Sequence, residues 1–455
     1  MQKFVKSVIS AFGKKARQYR IDQAGNVAMM LGLSAIPMFL AAGSAIDFSR
    51  ISNTKSNLVA ALDSAALYAA SLTGKTDAEM KTLARTYFDS NYTNTGDSTV
   101  MDFDLVNYAD HVTVTGKANV KTWFMNVAGI NNLDVPAKSE VMKSGSSVEV
   151  SLVLDNTNSM GTGTKMADLK AAAIDFVDTV VWAGNNPYYS KVAVIPYNNG
   201  VNVGAFADVA RGVIGTGTST SPGKTNFTFS NGSTNKTFAI STCASERTGA
   251  QAYTDASVVT SKVGMSYPAP GNPCISTQVL PLTNNKVDLK ATINSMTAGS
   301  STAGQVGIAW GWYAISPNFG LWSGSSIPAS YTADHLHKIM ILMTDAEYNS
   351  GYCKGVISGA PTVSGSGAAA DHINCAATNG NSYTQSTSMC GAIKASGIEV
   401  YTIEFELDTT VPARVALMNS CATDAAHRIT ATNSSDLKKA FQKIAANLLE
   451  LRLSQ

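Results

Sequence analysis

Residues 27–46, VAMMLGLSAIPMFLAAGSAI, form a twenty-residue stretch without a charge, and no other segment limits the fold as tightly. As a helix rising about 1.5 Å per residue it is about 30 Å long, the thickness of a bilayer's hydrocarbon core. A core helix of a soluble domain would carry a polar face, which this run lacks. Pro37 is compatible with a spanning helix, because membrane helices tolerate proline. Ahead of the run, residues 1–22 carry Lys3, Lys6, Lys14, Lys15, Arg17 and Arg20 against the single Asp22, a net of +5. That asymmetry places residues 1–22 in the cytoplasm and everything after Asp47 on the far side. The segment GSAID offers small residues for signal cleavage, but a signal peptide's apolar region is only about 7–15 residues long. The expectation is a retained single-pass anchor over residues 23–47.

The whole chain has 455 residues and a formal net charge of +2. Its basic residues form no aromatic-interleaved face of the kind that tracks a phosphate backbone, which argues against nucleic acid as a partner. Six cysteines, Cys243, Cys274, Cys353, Cys375, Cys390 and Cys421, all follow the anchor. None forms a C-x-x-C pair or lies at zinc-finger spacing from a histidine, so they read as disulfides of an oxidising compartment. Fifteen connectivities are open to six cysteines; pairing neighbours in order, Cys243 with Cys274, Cys353 with Cys375 and Cys390 with Cys421, is the working expectation.

Beyond the anchor, helical spacing continues through Leu58, Leu62, Ala65, Ala69 and Leu72, a narrow stripe of small residues that suits another helix or the chain's own following domain. Gly74 ends it, and TDAE at residues 76–79 is a capping box that opens a second helix with Met80, Leu83, Ala84, Tyr87 and Phe88 on its buried face. Residues 98–143 alternate and are rich in Val and Thr, which predicts a small antiparallel sheet. Residues 48–145 thus read as a helical stalk with a small α+β unit. From residue 147 to about 450, VEVSLVL, KVAVIPY, HKIMILMTD and GIEVYTIEF alternate with amphipathic helices. That order predicts a doubly wound, mostly parallel α/β sheet. A Ser, Thr, Asn and Gly-rich stretch within residues 200–280 reads as a surface insertion.

Two of those strands end in aspartate, Asp155 and Asp345. In a parallel sheet both would lie on the rim where ligands bind. Thr157 and Ser159 follow Asp155 in the pattern D-x-T-x-S, and Thr302 lies in a loop leading into a helix. Two carboxylates and three hydroxyls make a hard, all-oxygen set that favours Mg2+, Mn2+ or Ca2+. Taken singly, an aspartate at a strand end more often caps a helix or closes a turn. His335 and His337 alternate before a strand and read as polar residues at its entrance.

This constellation resembles the metal-ion-dependent adhesion site of von Willebrand factor A domains, over about residues 147–450. The resemblance implies a Rossmann-like fold, direct metal contacts from Thr157, Ser159 and Thr302, and Asp155 and Asp345 holding the ion partly through water. Thr157 departs from the commoner Ser but keeps the hydroxyl. The segment QAGNVAMMLGLSAIPMFLAAGSAIDFSRISNTKSNLVAALDSAALYAA, with LDNTNSM, CASERTG, LPLTNNKVDLKATI, GIAWGWYAISP and AFQKIAANLLELRLS, is similar to TadG-like proteins of the tight-adherence (Flp) pilus system, with a TadE/TadG-like N-terminal segment. Members processed by prepilin peptidase carry a Glu five residues after the cleavage glycine; after Gly25 that position is Met30, which again predicts a retained anchor.

The resemblance implies a non-enzymatic adhesion or assembly module in the bacterial inner membrane, with its bulk periplasmic and surface exposure left open. Its partner would be a pilus or envelope protein offering a carboxylate to the divalent cation, and the stalk stripe leaves self-association open. A metal-dependent phosphohydrolase is the enzymatic alternative, but no P-loop, G-x-S-x-G elbow or nearby acid–base residue accompanies Asp155. A scaffold with a degenerate metal site is the other.

Overall fold

The computed structural model describes residues 23–453 except 73–74, 94–97, 109–110, 143–144, 183–187, 216–223, 346, 360–369 and 407–411. The basic segment 1–22 and the helix-ending Gly74 therefore lie outside the described residues. The chain divides into two compact units, Met1–Lys143 and Ser144–Gln455.

In the first unit, anchor and stalk are one element. Helix α1, Gln23–Ser71, has 49 residues and runs unbroken through Pro37; at about 1.5 Å per residue it is about 74 Å long. Its early side chains, Met29, Leu31, Leu33, Met38 and Phe39, are exposed, and further along Leu58, Ala61, Leu62, Ala65, Ala66 and Ala69 are buried. The buried face packs with α2, Asp77–Asn91, on an antiparallel sheet of β1, Ser98–Asn107, β2, His111–Lys121, and β3, Asn132–Met142. Gly116 of β2 permits the approach, since a Cβ there would lie 3.1 Å from Leu62 Cδ2. The small-residue stripe is consequently filled from within the unit. Self-association through it, left open by the sequence, is corrected: its side chains are already covered. The capping box forms as read, with the Thr76 N–H donating to Glu79 Oε2 at 2.9 Å and the Glu79 N–H to Thr76 Oγ1 at 3.3 Å. Met80, Ala84 and Phe88 are buried, whereas Tyr87 is exposed and stacks on Tyr68 with ring centroids 4.6 Å apart.

The second unit is built on a six-stranded sheet. Its strands are β4, Ser147–Asp155; β5, Ser190–Tyr197; β6, Leu280–Thr283; β7, Leu336–Thr344; β8, Glu399–Phe405; and β9, Arg428–Ala431. The order is β6-β5-β4-β7-β8-β9, parallel throughout except for the edge strand β6. Alternate side chains of a strand point to opposite faces, and both faces here are covered. Val150, Leu152 and Leu154 of β4 and Ile339, Ile341 and Met343 of β7 face α3, Lys165–Val180, α4, Lys286–Ser295, and α8, Ser434–Leu453. Val153, Met340 and Leu342 face α5, Gly304–Ile315, α6, Ser382–Ala395, and α7, Pro412–Cys421. Every residue of α5 is buried. Gly307 and Gly311 let it close on the sheet, because Cβ atoms there would overlap Tyr197 and Val153 respectively.

The three disulfides join Cys243 to Cys274, Cys353 to Cys375 and Cys390 to Cys421, the neighbour pairing expected. The insertion departs from a surface loop. Short strands Val201–Asn202, Cys243–Ser245 and Gly264–Met265 form a small sheet, and Val201, Val203, Ala244, Val258 and Val263 join the main core. Its low apolar content misled, because the few apolar residues are concentrated where the chain returns to the domain and its polar groups bond internally. Asn202 Nδ2, for example, donates to the carbonyls of Ile275 and Ser276 at 3.0 and 3.1 Å.

Candidate functional site

Strand order fixes where a site can form. The chain runs outward in both directions from β4, so β4 and β7 flank the point where the winding reverses, the position at which doubly wound sheets bind ligands. Their register pairs Leu154 with Met343, which sets Asp155 beside Thr344 and Asp345 one residue beyond.

Asp155 is fully buried and accepts four hydrogen bonds. Oδ1 receives the Thr157 N–H at 2.8 Å and the Thr157 hydroxyl at 2.6 Å. Oδ2 receives Thr344 Oγ1 at 2.6 Å and the Tyr197 hydroxyl at 3.2 Å. Burial first, and then the neighbouring charge of Asp345, nevertheless push its carboxyl up to about 6, against the hydrogen bonds from Thr157 and Thr344 that pull it down. Ser159 Oγ donates to Asp345 Oδ1 at 2.6 Å, and Lys165 Nζ at the start of α3 reaches Asp345 Oδ2 at 2.8 Å. Glu406, just past β8, lies 3.6 Å from the same ammonium.

The Thr157 and Ser159 hydroxyls each donate to a carboxylate at 2.6 Å. Their oxygens lie 3.1 Å apart, a contact in which either can donate. With the two adjoining carboxylates they make an oxygen-rich set whose chemistry fits a hard divalent cation. Among the described residues no group of three or more His, Cys, Asp or Glu side chains converges, so ligation here would use hydroxyls.

Thr302 joins differently. It is buried, and its N–H donates to Asn349 Oδ1 at 2.9 Å while its carbonyl accepts the N–H groups of Asn349 and Ser350, both at 3.0 Å. Its loop is tied to the Asp155 loop by Gly299 N–H to Asn156 O at 2.8 Å and Asn158 N–H to Ser300 O at 2.9 Å. Three loops therefore converge, with Asp155, Thr157, Ser159 and Asp345 in one hydrogen-bonded chain and Thr302 linked through backbone. His335 and His337 lie at the opposite end of β7; His337 Nδ1 is 3.7 Å from Glu399. Sequence reasoning missed Lys165, Thr344 and Tyr197. Tyr197 ends the neighbouring parallel strand, as Asp155 ends its own, and Thr344 directly precedes Asp345; those positions were signals.

No curated protein matches the sequence. Among solved structures, the chain is similar to the pilus adhesin SpaC from Lactobacillus rhamnosus GG, with 13% identity, a TM-score of 0.38, and coverage of 79% of this chain and 36% of that one. The chain thus spans about a third of that adhesin's length. It is also similar to the vWF domain of the type V pili tip protein Mfa5 from Porphyromonas gingivalis, at 12% identity and TM-score 0.38, over 68% of this chain and 98% of that one. The pilus adhesin RrgA from Streptococcus pneumoniae matches at 12% identity and TM-score 0.35, over 78% and 49%. Such remote likenesses add nothing to the fold, which strand order and register establish directly as a doubly wound, mostly parallel α/β sheet. Residues 25–72 match the Flp pilus-assembly TadE/G-like family, so the N-terminal segment is similar to that family.

Proposed function

We propose that the chain is a membrane-anchored, exported adhesion or assembly protein of a bacterial tight-adherence (Flp) pilus system that engages a partner through a divalent cation. Asp155, Thr157, Ser159, Thr302 and Asp345 would hold Mg2+, or Mn2+ or Ca2+ in its place. The Thr157 and Ser159 hydroxyls, 3.1 Å apart and each bonded to one of two carboxylates, carry this reading. When bound, the cation supplies a Lewis-acid position that a partner's carboxylate completes. The protein's own part is to present that position rigidly on three cross-bonded loops. The apolar early half of α1 supports anchoring in the inner membrane by residues 23–47, with residues 1–22 cytoplasmic and the bulk of the chain periplasmic. The partner is a pilus or envelope protein, and no step of turnover is assigned.

One observation favours a second reading, a scaffold with a degenerate site: Lys165 already neutralises Asp345. Calorimetric titration of Mg2+ and Mn2+ into the detergent-solubilised chain separates the two. Binding in the wild type that disappears in Asp155→Ala supports the metal-dependent module. Unchanged affinity in Asp155→Ala removes the site assignment, and no binding in wild type leaves the scaffold.

A further inference from the structure

In the first unit, the β2–β3 connection over residues 122–131, TWFMNVAGIN, contains no charged residue. It holds a group of large apolar side chains in the open: Trp123 is 56% exposed, Phe124 39%, Val127 78% and Ile130 43%. Isolated exposed apolar residues need no explanation, but a contiguous set marks an interaction surface. The position of this set is fixed by α1. Asp47 accepts the N–H groups of Trp123, Phe124 and Met125 at 2.9, 2.8 and 2.8 Å. The Arg50 guanidinium stacks 3.7 Å from the centre of the Trp123 ring and donates to Lys121 O at 3.3 Å. The Phe124 ring lies against Gly43, where any Cβ would overlap it.

Gly43 belongs to the uncharged run, three residues before its end at Ile46. At about 1.5 Å per residue, Phe124 therefore sits about 5 Å inside that end, the depth at which interfacial side chains rest. The loop's backbone is prepared for such surroundings. Besides the three bonds to Asp47, Val127 N–H donates to Phe124 O at 3.1 Å, Gly129 N–H to Asn126 O at 2.9 Å and Ile130 N–H to Met125 O at 3.0 Å, while the Thr122 hydroxyl bonds Ile130 O. The N–H groups of Trp123, Phe124, Met125, Val127, Gly129 and Ile130 are thereby all bonded within the protein. Ile46 and Phe48 of α1, beside Asp47 in sequence, are also exposed.

We propose that residues 122–131 form a membrane-dipping loop: Trp123, Phe124, Val127 and Ile130 insert at the headgroup–acyl boundary of the bilayer that α1 crosses, on its exported side. The occupant is phospholipid, identified by continuity with the spanning helix and by the depth that Gly43 sets. Trp123 takes an aromatic-belt position, with the Arg50 guanidinium over its ring and paired with Asp47 at 3.5 Å. The inference rests on the anchored reading of α1 and adds a second membrane contact in an otherwise exported sheet.

The test uses the full chain reconstituted into phosphatidylcholine–phosphatidylglycerol vesicles whose acyl chains are brominated close to the headgroup, with an alkaline carbonate wash as an independent check on anchoring. Trp123 is one of five tryptophans and the only one in the first unit, so contact quenching of an interfacial ring should remove about a fifth of the emission. Trp123→Phe should abolish that quenching. Val127→Asp, at a site too exposed to affect folding, should reduce it while Trp123 remains. Retention through the carbonate wash with no bromolipid quenching attributable to Trp123 overturns the loop's insertion and leaves the anchor standing. Release by carbonate overturns the anchor and the loop together.

Discussion

The strands that carry the two site aspartates are locked together at their far ends by a buried ion pair, and its removal gives a sharp test of the architecture. Glu149 of β4 and Lys338 of β7 are paired in register, with side chains 0% and 4% exposed. Glu149 also accepts the Tyr189 hydroxyl at 2.9 Å and the Ala329 N–H at 3.0 Å, and Lys338 Nζ donates to Ile315 O at 2.9 Å. Burial lowers the Lys338 ammonium below its usual range, and Glu149 offsets part of that shift. Glu149→Gln keeps an acceptor but removes the charge, leaving an ammonium in the core with one carbonyl. The expected loss is about 3–5 kcal/mol, the cost of stranding one partner of a buried pair. It should shrink as pH rises from 7 to 9.5, because folding then favours the neutral amine while the unfolded chain still binds the proton. Adding Lys338→Met removes the stranded charge and should recover all but about 1 kcal/mol, the weakened bonds from Tyr189 and Ala329. Chemical denaturation followed by the fluorescence of Trp310, Trp312 and Trp322 reads these differences. A loss under about 1 kcal/mol in the single variant, the size of a surface pair, or a double variant no more stable than the single one, refutes the reasoning.

Three further outcomes follow from the same geometry. Lys165→Met frees Asp345 of its ammonium and should raise Mg2+ affinity by about tenfold, or about 1.4 kcal/mol; calorimetry showing equal affinity would mean that lysine and cation do not compete. Burial pushes Glu246 up to about 7 from 4.5, despite hydrogen bonds from Gln305, Gln385 and Asn379. Its proton is held more tightly in the folded state, so this contribution to stability is complete below pH 4.5 and lost as pH rises through 7. The 2.5-unit difference between those two values corresponds to about 3 kcal/mol; melting at pH 5 and 8 should show that dependence diminished in Glu246→Gln, and an unaltered slope would exclude Glu246 as its source. Gly311→Ala places a methyl against Val153 of β4 and should cost about 1–3 kcal/mol by overpacking, with no loss in a denaturation midpoint showing that α5 can shift.

Pattern alone carried much of this architecture where one residue type answers one physical demand. The uncharged run, the Thr76–Glu79 box and the strands ending in Asp155 and Asp345 were legible because each depends on local spacing. Lys165 was not, since its importance comes from α3 starting opposite the end of β7, a relation set by sheet order. The stalk stripe was ambiguous for a related reason: Leu62 and Ala65 would suit any close-packing surface, and only Gly116 across the sheet selects the internal one. The edge strand β6 escaped notice because LPLT is only four residues long and Pro281 interrupts its apolar pattern.

The continuity of α1 has a mechanical consequence. In the anchored reading, the helix that crosses the bilayer and the helix that floors the first unit are the same rigid rod, with no joint between them. A torque applied to that unit by a load on the exported chain cannot be relieved by bending at the membrane surface. It must tilt the rod within the lipid, so the angle of pull on the exported side is transmitted as tilt to the cytoplasmic face.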